Sequence, residues 1–298
     1  MKTLCFVFPL FLILFIGSVN LSFSQDLFDI LDETEEPTTE YTYATFKTTR
    51  IVSGQSIENP HSGVLLFIIG HRFGKLNSGS YNLWGLDQAT IRLGLEYGLT
   101  ERLAIAVGRS SYQKTYDSFA KYKLLRQSTG AVEMPLSVSL MSGIYMNSLR
   151  WRDPNRENYF SSRLSYAFQV LLARKFSNTF SLQLTPTLIH KNLVEFAKDP
   201  NDIYSLGVGG RLRLTNRITL NAEYHHVFTP ETARNFDNAI MIGFDIETGG
   251  HVFQLHFTNT QPMFERGFIT ETQSDFFKGD IYFGFNISRV FTLRKPKL

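Results

Sequence analysis

Twelve times between residues 63 and 292 the chain alternates apolar and polar side chains at a period of two, and charged residues recur on the second face. Ile91, Leu93, Leu95, Tyr97 and Leu99 alternate with Arg92, Gly94, Glu96 and Gly98. Leu206, Val208, Leu212 and Leu214 oppose Gly207, Gly209, Arg211 and Arg213, and Ile240, Ile242, Phe244 and Ile246 oppose Gly243, Asp245 and Glu247. Period two is the strand signature; apolar residues at every third or fourth position, as a helix needs, occur in none of these runs. The runs fall near 63–73, 88–99, 102–112, 118–126, 132–147 and 159–174, then 179–190, 202–215, 218–228, 236–247, 251–260 and 279–292.

The connections narrow the fold further. Short turns close at Thr100-Glu101, Ser128-Thr129-Gly130, Ser177-Asn178, Asn216-Arg217 and Gly249-Gly250, and longer links such as 74–87, 150–158, 191–201 and 261–279 lie between them. Long and short links alternate, and both ends of the array fall on the short-turn side. An even strand number with this layout predicts an all-β fold: a closed antiparallel transmembrane β-barrel of about twelve strands, with short periplasmic turns and long outer loops. Closure leaves no edge strand, as the hydrocarbon region requires. A soluble sandwich would also alternate, but its strands are shorter and it would not keep every long loop on one side.

The segments outside the array have their own signatures. Lys2, an apolar run from Leu4 to Gly17 and the small residues of Ser22-Phe23-Ser24 predict a signal peptide over 1–24, cleaved before Gln25. Cys5, the single cysteine, would leave with it, so no disulfide or multi-cysteine metal site is available to the mature chain. Beyond the signal the longest apolar run is Val64 to Ile69, too short for a spanning helix. Residues 25–44 carry seven acids and no Lys or Arg, which predicts a flexible acidic leader. A 45–62 extended segment, the barrel at 63–293 and a basic tail at 294–298 complete the organisation. Lys plus Arg exceed Asp plus Glu by only 30 to 27 over the whole chain; that near balance argues against a nucleic-acid partner.

Thr45-Phe46-Lys47-Thr48-Thr49-Arg50 through Ser56-Ile57-Glu58, Gly70-His71-Arg72-Phe73-Gly74, Leu86-Asp87-Gln88-Ala89-Thr90-Ile91-Arg92-Leu93-Gly94 and Gly108-Arg109-Ser110-Ser111 carry a likeness to a known family. On these motifs, which are sharpest between 45 and 127, the chain resembles Gram-negative outer-membrane β-barrel proteins grouped as a domain of unknown function. The resemblance implies a barrel and an outer-membrane address. It supplies no activity and no functional residues. Many such barrels end on an aromatic residue that the insertion machinery recognises, whereas here Phe291 is followed by Thr292 to Leu298.

Chemistry-bearing motifs are sparse. No Gly-x-Ser-x-Gly and no His-Glu-x-x-His occurs, and no cofactor, metal or catalytic set is assigned. Adjacent His225 and His226 point to opposite faces of a strand; Glu223, His225 and Asp245 form a loose metal candidate, but no ligand spacing is specific and structural polar lining is the favoured reading. Asn286-Ile287-Ser288 matches a glycan acceptor but sits mid-strand. The informative residues are the charges on the inner faces. A basic side chain turned to the lipid midplane costs about 2–4 kcal/mol, so Arg92, Glu96, Arg211, Arg213, Glu223, His225, Asp245 and Glu247 are expected to line the lumen, with Lys121, Lys123 and Arg163 beside them. Tyr81, Trp84, Tyr97, Tyr112, Tyr159 and Tyr204 fall near strand ends, where interface girdles form.

Three functions fit. A small channel or binding barrel for a small polar solute uses the mixed-charge lumen. A structural barrel docks a periplasmic partner through residues 25–44. A lipid hydrolase is the third. In each, outer-membrane lipid and the barrel insertion machinery are the expected partners. Whether inner charges line a solute path or a salt-bridged filling is left open by the pattern.

Overall fold

The computed structural model describes residues 38–151, 153–228 and 236–294. The signal, the leader up to residue 37 and tail residues 295–298 lie outside the described residues. In chain order the strands are β1 (Thr39–Tyr41), β2 (Val64–Lys75), β3 (Ala89–Gly98), β4 (Leu103–Ser110), β5 (Tyr116–Leu125), β6 (Ser128–Gly130), β7 (Ser137–Met146) and β8 (Leu164–Lys175). They continue as β9 (Phe180–Lys191), β10 (Asp202–Arg213), β11 (Ile218–Val227), β12 (Ala239–Thr248), β13 (His251–Thr258) and β14 (Tyr282–Thr292). All but β1 and β6 form one closed, antiparallel barrel of twelve strands, in which β14 returns to β2 and pairs Thr292 with Val64.

Each barrel strand has one apolar outward row and one row turned to the lumen. Ile91, Leu93 and Leu95 are exposed on the outside, as are Ile242 and Phe244, while Arg92, Glu96 and Asp245 are buried. No helix among the described residues is long and apolar enough to cross a membrane; the strands do the crossing. The outward rows provide the apolar band that lipid requires, and the ladders satisfy the backbone groups at that depth.

The ends of the barrel differ. The turn end holds the links 99–102, 176–179, 214–217 and the two-residue Gly249-Gly250, together with both barrel termini. Gly250 has φ of 112°, a conformation glycine reaches without a Cβ clash. Among the described residues, the loop end holds 76–88, 147–151, 153–163, 192–201, 236–238 and 259–281. Strict alternation of long and short fails twice. Ser111 to Thr115 makes a tight connection at the loop end, and 126–136 makes a longer one at the turn end because β6 is inserted there. Strand β6 pairs with β1, and the Arg126 guanidinium lies 4.0 Å from the Tyr41 ring centroid. Residues 39–41, expected within the flexible leader, are therefore ordered by the turn end.

Residues 45–58 do not run along the outside. They enter the bore from the turn end and fold back on themselves: Ser56 donates its N–H to Thr49 O at 2.9 Å and Ile51 to Gly54 O at 3.0 Å. Glu58 Oε1 closes the base by accepting the Thr45 N–H at 2.8 Å. From the loop end, residues 259–275 descend around a short helix, α1 (Glu265–Thr270), with Phe264, Phe268 and Ile269 fully buried.

Candidate functional site

The candidate site is the lumen, and it is filled. Wall side chains hold the hairpin largely by its main chain. Lys121 Nζ donates to Ser56 O at 3.0 Å and Glu58 O at 2.6 Å. Gln183 Nε2 donates to Gln55 O at 2.7 Å, Gln254 Nε2 to Ile51 O at 3.1 Å, and Asn286 Nδ2 to Val52 O at 3.0 Å. At the tip, Glu223 Oε2 accepts the N–H groups of Ser53 and Gly54, both at 3.1 Å. Glycines make the room: a Cβ on Gly209 would lie 2.5 Å from Ile51 Cδ1. Apolar contacts complete the seat, with Phe46, Ile51 and Ile57 packed on Leu171 and Ala173.

The loop insert is held differently. Phe264, Phe268 and Ile269 pack with Tyr145, Ala167, Ile189, Ile203, Ala239 and Met241 of the wall and with Val52 of the hairpin tip. The inserts meet through charge. Arg50 donates to Glu265 Oε1 at 2.6 Å and to Glu96 Oε1 of β3 at 3.3 Å, while Tyr145 Oη donates to Glu265 Oε2 at 2.7 Å. Arg72 joins all three parts: Nη1 donates to Thr260 O at 2.7 Å, and Nη2 reaches Ser53 Oγ at 3.0 Å and His256 Nε2 at 2.9 Å. These groups are all but sealed from solvent. In such surroundings removing one charge strands its partner, at about 3–5 kcal/mol for a buried pair. A cavity of about 20 Å³ between the hairpin and the wall, lined in part by Arg50, Ser53, Arg92 and Asn286, has the room of about one water molecule.

Of the expected lumen residues, Arg92, Glu96, Arg211, Glu223, His225 and Asp245 are buried on the inner face. Arg213 and Glu247 have the right parity but lie at the turn-end mouth, where the strands run out. Arg213 bonds Asn216 Oδ1 at 2.8 Å, and Glu247, its side chain 48% exposed, pairs with Lys47. Arg163 precedes β8 in a tight turn and stays at the loop end, donating to Asn147 O at 2.8 Å and Leu149 O at 2.6 Å, beside the Trp151 ring. Tyr112 is no girdle residue either. It turns inward onto Phe264, with ring centroids 6.2 Å apart.

Pairings depart from expectation more than directions do. The hairpin at 214–217 sets Arg211 opposite Asn221, the register its length predicts. Yet Arg211 donates to Ala44 O and to Thr45 O at 2.9 Å rather than to Glu223, because the inserted chain lies between them. Glu223, His225 and Asp245 do not assemble: His225 pairs with Ala239 and Asp245 with Thr219, six residues or about 20 Å apart along β11. Among the described residues no group of three or more His, Cys, Asp or Glu could hold a metal ion. Arg50, Arg72, Tyr145 and Glu265 were missed. A signal existed for Arg72, which shares its parity with Leu66, Ile68 and Gly70, and for the insert, whose Phe264 and Phe268 are too apolar for a solvated loop.

A closed barrel with an apolar outer band and a polar inner face is an outer-membrane β-barrel. Residues 46–291 match the family described as a membrane bound beta barrel domain (DUF5777), and the chain belongs to it. None of the curated proteins matches this sequence. Among solved structures, the NanC porin has 9% identity and a TM-score of 0.50, with 78% of this chain and 100% of that chain covered. An outer membrane channel from Pseudomonas putida F1 has 14% identity and a TM-score of 0.46, covering 78% and 97%. The first likeness shows the fold alone.

Proposed function

We propose that the protein is a gated outer-membrane passage for small polar solutes, closed in this conformation by its own N-terminal hairpin, with the turn end in the periplasm. The observation that carries the reading is the polar wall behind the hairpin, where Gln183, Gln254, Asn286, Lys121 and Glu223 are buried and bond the hairpin's main chain. Well-packed apolar residues can replace buried ion pairs at no loss or with a gain of stability. A permanently dry filling does not need such a wall, whereas a bore that is wet in its open state does.

Planar-bilayer recording tests this. The full chain should stay closed with rare openings. Deletion of residues 45–58, or Arg211→Ala combined with Gln254→Ala, should give stepwise conductance. Variants that keep a closed barrel, judged by heat-modifiable gel migration, and still conduct nothing would overturn the proposal. The filled lumen also favours a second reading, in which the barrel is structural and its leader docks a periplasmic partner. That reading predicts the same silence from every variant.

A further inference from the structure

We infer that the lumen is a peptide site: its wall recognises polypeptide main chain, and the N-terminal hairpin is the intramolecular occupant of a site that accepts a segment of another peptide. The inference rests on the proposed passage and names its substrate class. Six side chains from six strands carry it: Lys121, Gln183, Arg211, Glu223, Gln254 and Asn286. Five present N–H donors to hairpin carbonyls, and the sixth presents a carboxylate to two consecutive backbone N–H groups. That mixture complements a polypeptide, in which acceptors and donors alternate at fixed spacing and every buried one needs a partner. A site for a small anion would gather cations and would not place Glu223 at its centre.

The same contacts divide recognition into a general and a selective part. Bonds to carbonyl and amide groups do not depend on the identity of the residue that bears them. Leu171 and Ala173, under Phe46, Ile51 and Ile57, ask only for apolar bulk. Several hairpin side chains are exceptions, among them Ser53, whose Oγ accepts from Arg72, Gln55, which bonds Glu265 and Lys121, and Arg50. The Arg50 guanidinium lies between Glu96 and Glu265, both buried, so the site selects a basic residue two positions before the turn at Val52-Ser53. The expected ligand is a short peptide with one Lys or Arg just ahead of a turn and polar side chains at the positions of Ser53 and Gln55, the exposed positions being of variable sequence.

The experiment uses the full chain, folded in detergent, with a protease site inserted after exposed His61 and cut only after folding. Fluorescent peptides are then exchanged against the released segment and followed by anisotropy. The probes are the sequence 45–58, a version shuffled only outside Arg50, Ser53, Gln55 and the apolar positions, one with Arg50→Ala, one N-methylated at the Ser53 and Gly54 amides, and a neutral oligosaccharide. The first two should bind within about 10-fold of each other, and the Arg50→Ala and N-methylated peptides should each bind about 10-fold or more weaker, the scale of a lost bond to a charged group. Glu223→Ala in the barrel, which removes the acceptor, should abolish most of the penalty of N-methylation. A shuffled peptide about 100-fold weaker than the native one, an N-methylated peptide that binds equally, or an oligosaccharide that displaces the segment would overturn the inference. Peptide exchange in a barrel that never conducts would leave the site standing and remove the passage. Conductance without peptide exchange would do the reverse.

Discussion

Two segments fill one bore from opposite ends, and they are fastened by different chemistry. The loop insert 259–275 is anchored at both ends, to β13 and β14, and packs Phe264, Phe268 and Ile269 into an apolar cluster with the wall. The N-terminal hairpin runs into β2 at one end and is tied at the other only by the short β1–β6 ladder, and polar wall groups bond its main chain. Apolar burial has no substitute in water, whereas a hydrogen bond exchanged for one to water changes the free energy by only about 0.5–1.5 kcal/mol. The insert therefore belongs to the core of the barrel. The hairpin's wall bonds can be exchanged for bonds to water, and its release must also expose the buried Phe46, Ile51, Val52 and Ile57.

The hardest blow to this contrast is Phe268→Ala. It should lower stability in detergent by about 3–5 kcal/mol, read by denaturant unfolding, and leave the bore closed; an opened bore without destabilisation would merge the two roles. Next comes Arg50→Met, which touches both segments. It deprives Glu96 and Glu265 of a partner, with an expected loss of about 3 kcal/mol and a rise in open events in bilayers. Arg211→Ala removes only charge-assisted bonds to hairpin carbonyls. About 2 kcal/mol is expected, together with faster proteolysis within 45–58 in micelles. Least of all, Lys47→Ala breaks a mouth pair with half-exposed Glu247, and its effect should be about 1 kcal/mol or less by the same unfolding assay. If the hairpin substitutions cost more than Phe268→Ala, the hairpin rather than the loop is the structural core.

The wall was legible in the sequence because period two reports direction locally. Every strand needs only its own residues to show which row faces lipid, and the three-residue hairpin at 215–217 fixed the partner of Arg211 as well. The contents of the bore were not legible, because direction says nothing about what stands opposite. Residues 45–58 have no strong periodicity of their own, and their partners lie up to 234 positions away, as with Asn286 and the Val52 carbonyl. Strand parity therefore placed Arg211 and Glu223 on the inner face but could not show that both bond the inserted hairpin. Glu265 was missed for a different reason: a long link between strands reads as solvated loop unless its phenylalanines are weighed against that role.

The seam of the barrel adds a consequence in time. Strands β2 and β14 meet as Val64 pairs with Thr292, so the cylinder cannot shut until nearly the whole chain is in place. Contacts of such separation are slow to form. The hairpin directly precedes β2, and its Arg50-to-Gln55 bridge is local, so it can assemble early, against a sheet that is still open along one side. Once the seam has zipped, the only routes into or out of the bore are its two ends. Initial packing and later re-entry are then different events, and a hairpin drawn out of the finished barrel returns by a narrower and slower road than the one by which it first arrived.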